Sequence, residues 1–76
     1  MGMTKTSQAL QRLTETNPDA CDGLKLLWQK AFAGLYNNHQ MNDLINQANF
    51  DALKTKESEE DIDFVVASIR KATAIQ

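Results

Sequence analysis

Seventy-six residues suffice for one domain around one core and leave no room for a second. Eight Lys and Arg against ten Asp and Glu give a net charge of −2, which disfavours a protein that holds nucleic acid chiefly by its phosphates. The single cysteine, Cys21, excludes an intramolecular disulfide and points to the reducing cytoplasm. Charge is uneven: residues 57–76 hold five acids and two bases, whereas residues 1–56 are nearly balanced.

No apolar run approaches the roughly 18 residues of a membrane-spanning helix, and the opening residues lack the apolar stretch of a secretory signal. No membrane association is expected. Met1-Gly2-Met3 reads as a cloning remnant before a start at Met3. No window alternates at period two, so no sheet is expected. The pattern predicts an all-α chain. Residues 1–76 form a single helical domain, a compact bundle of four helices, or five if the third is broken.

The first helix runs from about Thr4 or Ser7 to Thr16, with Met3, Thr6, Leu10 and Leu13 on one thin apolar face. The second is the best marked. Asn17 suits the cap, and Pro18 suits the first position, where its missing N–H costs nothing. Ala20, Cys21, Leu24, Leu27, Trp28, Ala31, Phe32 and Leu35 recur at three- and four-residue steps. That stripe covers about half of the helix at 100° per residue, and Tyr36 lies at its margin. A stripe so wide touches several neighbours, which makes residues 18–36 the central helix. Gly34 stands near its end, and Asn37 or Asn38 is suited to the left-handed stop. Leu26 lies off the stripe. Gly23 and Gly34, eleven residues apart, would admit a neighbouring backbone.

From about Asn42, Met41, Leu44, Ile45, Ala48 and Ala52 follow a helical step, whereas Phe50 and Leu53 fall off that line. Two arrangements fit equally: one helix, or Asp43–Ala48 and Phe50–Lys56 recapped at Asn49. The last helix starts at Ser58. Ser58-Glu59-Glu60-Asp61 resembles a capping box, Ile62, Val65, Val66, Ile69 and Ala72 form its inner face, and Arg70 and Lys71 suit its negative end.

Sites for chemistry are scarce. Cys21 lies on the apolar stripe, and His39, the only imidazole, is separated from it by some 27 Å of helix at 1.5 Å per residue. One His and one Cys make no zinc site, and Asp19-x-x-Asp22-Gly23 lacks the oxygen ligands of a calcium loop. The acidic run Glu57, Glu59, Glu60, Asp61, Asp63 reads as a solvated helix start favoured by the dipole, with weak cation binding as its sharper alternative. No phosphate loop, dinucleotide fingerprint or nucleophile elbow occurs, so neither catalysis nor a cofactor or metal is expected.

Two surfaces stand out. The amide-rich segment 37–49 offers Asn42, Asn46, Gln47 and Asn49, which in a helix-turn-helix would face adenine edges. No Arg or Lys lies between Lys30 and Lys54 to hold phosphates, which favours a polar loop and an exposed helix face. On the last helix, Phe64 and Ile75 stand opposite the inner face with Ser68 and Lys71 between them, beside Glu59, Glu60 and Asp63. Cover for that line comes from the first helix or from another chain.

These readings converge on a small, non-catalytic cytoplasmic protein that binds another protein as regulator, inhibitor or adaptor, with a homodimer as one form of that contact. A helix-turn-helix regulator is the alternative, and a carrier bundle with an internal cavity is the third.

Overall fold

The computed structural model describes residues 4–74. It is an all-α bundle: α1 Lys5–Thr16, α2 Pro18–Ala33, α3 Asn38–Ala48, the single turn α4 Phe50–Leu53, and α5 Glu59–Ala74. Among the described residues there is no strand. Met1, Gly2, Met3 and Ile75, which carried expectations above, lie outside them.

The caps set the boundaries. Thr4 caps α1 by accepting from the Ser7 N–H at 3.0 Å. Asn17 caps α2 by accepting from the Ala20 N–H, and Pro18 opens the helix. The stop of α2 comes earlier than Asn37 or Asn38. Gly34 takes it, at φ 70°, because a residue without Cβ enters the left-handed region without strain. Asn37 instead opens α3 four residues ahead of the expected start. Its side chain accepts from the Gln40 N–H at 2.8 Å while the Gln40 side chain accepts from the Asn37 N–H at 3.0 Å. His39 thus sits on α3 and not in a loop, 3.7 Å from Asp43.

The third helical region is the broken one. Asn49 stands at φ 52°, a conformation that Asn tolerates better than most side chains. A continuous helix would carry Phe50 about 180° away from the Met41–Ile45 line. The break lets Phe50 turn inward to 5% exposure, its ring edge against Gly23. Gly23 therefore makes room for a ring rather than for a backbone, and around Gly34 there is open space. Ala48 and Ala52, expected on the inner line, are exposed.

α5 packs against α1, α2 and α3. Its inner residues Ile62, Val65 and Ile69 are buried with Leu10, Leu13, Leu24, Leu27, Met41 and Ile45. Arg12 reaches Asp61 near the start of α5, and Thr6 reaches Ser68 further on, so α1 and α5 are antiparallel. Asn42 meets Arg70 and Asn38 meets Thr73, so α3 and α5 are antiparallel too. One pole of the bundle therefore gathers the start of α1, the end of α2, the start of α3 and the end of α5. The other gathers the α1–α2 turn, α4 and the start of α5.

The second pole is tied by a buried polar knot. Asn17 Nδ2 donates to the Leu53 carbonyl at 2.7 Å and to Ser58 Oγ at 3.1 Å. Ser58 Oγ also accepts from the Thr55 N–H at 3.0 Å. The capping box expected at Ser58 is replaced by this knot. The Asp61 carboxylate does not reach back over the helix start; it turns to Arg12, whose Nη2 lies 2.8 Å away.

Candidate protein-contact surfaces

The first surface lies at the end of α2. Its stripe splits in two. Ala20, Cys21, Leu24, Leu27 and Ala31 are buried as expected, but Trp28 is only partly buried. Phe32 and Leu35 are 69% and 76% exposed. Trp28 and Phe32 touch edge to face at 4.7 Å between centroids, so Trp28 props the Phe32 ring from below. Leu35 leaves the stripe because the Gly34 turn ends the helical step one residue earlier. Tyr36 folds back to Lys30, whose ammonium sits 5.1 Å from the ring centroid.

Sequence reasoning assigned Phe32 and Leu35 to the core and so missed this tip. The signal available was Gly34 itself, which a strict cap reading places one residue after the last helical turn. Covering the two side chains removes on the order of 250 Å² of apolar surface from water, worth about 6 kcal/mol before the cost of association.

The second surface is the outer side of α5, and its residues face different neighbours. Phe64 is 41% exposed and lines a groove of ≈ 470 Å³ against Lys5, Gln8 and Arg12 of α1. Helix α1 thus covers part of Phe64, and the groove leaves the rest open. Ser68 is partly buried, accepting from Thr6 Oγ1 at 3.1 Å and donating to the Phe64 carbonyl. Asp63 turns the other way and pairs with Lys54 at 2.6 Å. Glu59, Glu60 and Lys71 are exposed. Lys54 bridges Asp63 and Asp51; these hydrogen bonds push the Lys54 ammonium up and hold the Asp51 carboxyl below the usual range.

The amide-rich segment is α3 itself, with Asn37 and Asn49 as its caps. Asn46, Gln47 and Asn49 are exposed, while Asn42 accepts from Arg70 Nε at 3.1 Å. The fold thereby brings Arg70 and Lys54 to a groove of ≈ 370 Å³ that also includes Asn46 and Asn49. Both cations are committed, one to Asn42 and the other to two carboxylates.

Charge is polarised along the bundle. Lys5, Lys30, Arg70 and Lys71 lie toward the pole that carries the apolar tip, with Asp43 as the nearby acid on α3. Asp19, Asp51, Glu57, Glu59, Glu60 and Asp61 lie toward the opposite pole, with Arg12, Lys54 and Lys56 among them. Cys21 is buried, its Sγ 3.3 Å from the Leu10 carbonyl and 3.6 Å from Thr14 Oγ1, so its thiol is packed and hydrogen-bonded. Among the described residues no group of three His, Cys, Asp or Glu is placed to hold a metal ion.

Fold and surfaces define an all-α bundle with an apolar tip at its basic pole. Among the described residues no helix is long and apolar enough to cross a membrane. No protein-family model, no curated protein and no solved structure matches the chain.

Proposed function

We propose that this protein is a non-catalytic, cytoplasmic binder of another protein, acting as regulator, inhibitor or adaptor. The observation that supports this reading is the tip: Phe32 and Leu35, 69% and 76% exposed at one end of α2, on a prop formed by Trp28. Large apolar side chains left exposed close together in the chain are the usual anchors of a protein contact. The outer side of α5 around Phe64 is the second element, and its acidic start would steer a basic partner and make association salt-sensitive.

The test is affinity capture from the source organism's lysate, with wild type, Phe32→Ser with Leu35→Ser, and Phe64→Ala in parallel. A partner held by wild type should be lost or weakened about 30-fold in the tip variant, the range of an anchor residue. Equal capture by wild type and the tip variant removes the tip from the interface. Retention of DNA with a steep salt dependence in a gel shift would replace the reading with the helix-turn-helix one.

A further inference from the structure

We propose that the apolar tip of one molecule docks into the α1–α5 groove of a second copy, end to side. Such a contact needs no other partner. Its first support is charge. No acid lies between Asp22 and Asp43, so the chain leading to the tip carries only Lys25, two turns back against α1, and Lys30, whose ammonium lies on the Tyr36 ring, as side-chain charges besides His39. A symmetric contact of tip on tip would bring like charges together, which disfavours a closed two-fold dimer through this surface.

The second support is that the same chain holds a complementary surface. The groove between α1 and α5 has an apolar wall in Phe64 and carboxylates in Glu57, Glu60 and Asp61. Arg12 is engaged by Asp61 in a forked pair and feels the charge of Glu60 as well, so Glu57 and in part Glu60 face an incoming cation at the acidic end. Lys5 lies at the other end of the groove, toward the basic pole. A volume of ≈ 470 Å³ falls within the range of sites that take groups larger than a single side chain.

Tip and groove lie on different parts of the molecule, so the contact is heterologous. Each added copy presents a fresh tip and a fresh groove, and the assembly extends instead of closing. The patch is small, which places the contact in the weak class below about 1,200 Å².

The experiment is sedimentation of the purified protein from about ten micromolar to about one millimolar, the range of weak association. At low salt the mass should rise with concentration and pass beyond a dimer. Association should weaken roughly ten-fold between low salt and half-molar sodium chloride, because the charges that steer it are exposed. Phe32→Ser should be monomeric, and so should Glu57→Lys with Glu60→Lys, each with an unchanged helical spectrum. Mixed one to one, the two variants should form a dimer and stop there, since only one intact tip meets one intact groove. If Phe32→Ser unfolds, Leu35→Ser takes its place. A wild type that stays monomeric at low salt overturns the proposal. So does a dimer that the groove variant leaves intact, or a mixture that fails to associate.

Discussion

Ser58→Ala tests the buried knot that replaces the expected cap. A capping serine on a helix start is worth about 1 kcal/mol. The structure predicts a larger loss. Ser58 is fully buried, and its Oγ serves Asn17 Nδ2 at 3.1 Å and the Thr55 N–H at 3.0 Å. Removing it leaves one amide proton of Asn17 without a partner in a dry site, at about 1–3 kcal/mol. The Thr55 N–H is part-buried and regains water more cheaply, at about 0.5–1 kcal/mol. The sum is about 1.5–4 kcal/mol, against a total of about 3–5 kcal/mol for a core of this size. Urea unfolding followed by helical ellipticity should therefore show the midpoint moving by about a third or more, with an unchanged slope. Asn17→Ala combined with Ser58→Ala should cost less than the two separately, since each removes the same bond. A Ser58→Ala loss below about 0.5 kcal/mol, or full additivity with Asn17→Ala, would refute the knot.

Leu24→Ala, at a site without exposure, should cost about 2–5 kcal/mol, and Trp28→Ala should cost less because Trp28 is only partly buried; thermal melts of both rank them. Gly34→Ala should lower stability by about 1 kcal/mol through strain at φ 70°, with Gly34→Asn milder, as measured by the same melts. Gly23→Ala gains about 1 kcal/mol of helix propensity, but its Cβ would meet Phe50 Cε1 at 3.2 Å. Its net change should therefore be small, whereas Gly23→Val should clearly destabilise. On acidification, the depressed Asp51 carboxyl supplies stability that is present above its ordinary range and lost as pH falls through its lowered value. The raised Lys54 supplies stability that persists through neutral pH and is lost only at strongly alkaline pH. The melting temperature should accordingly hold from pH 6 to 9 where this cluster governs it, and Asp51→Asn should blunt the decline below about pH 4.

Much of the fold was legible in spacing and caps. Pro18 after Asn17, the buried line of α5 and the possible break at Asn49 are local signals, and local signals decide helix ends. Three features were not legible, two because tertiary contact outweighed a local preference and one because a local box was hidden in a polar run. Ser58 looked like an ordinary cap until the α1–α2 turn brought Asn17 to it from 41 residues away. Asp61 looked like the other half of a capping box until Arg12 offered a forked partner across 49 residues. The start of α3 was obscured by its own amides, since Asn37 and Gln40 satisfy each other's backbone groups and so begin a helix that composition reads as loop. Of the expected contact surface on α5, Phe64 and Glu60 line one groove, Glu59, Ser68 and Lys71 lie outside it, and Asp63 is drawn aside by Lys54.

The tip follows from a conflict within α2. Periodicity asks Phe32 and Leu35 to continue the buried stripe, but Gly34 ends the helix at Ala33, and nothing in the described bundle reaches over that end. In a chain whose core is worth only a few kcal/mol, leaving a Phe and a Leu in water forgoes a comparable sum. Extending α2 by one more turn would retain the helical step for Leu35. It would also move the Asn37 cap away from α3, whose start meets α5 through the Asn38–Thr73 bond. Closure of the α3–α5 seam and burial of the α2 end therefore compete for the same four residues, Gly34 to Asn37. The structure resolves the competition in favour of the seam, and Phe32 and Leu35 are left in water.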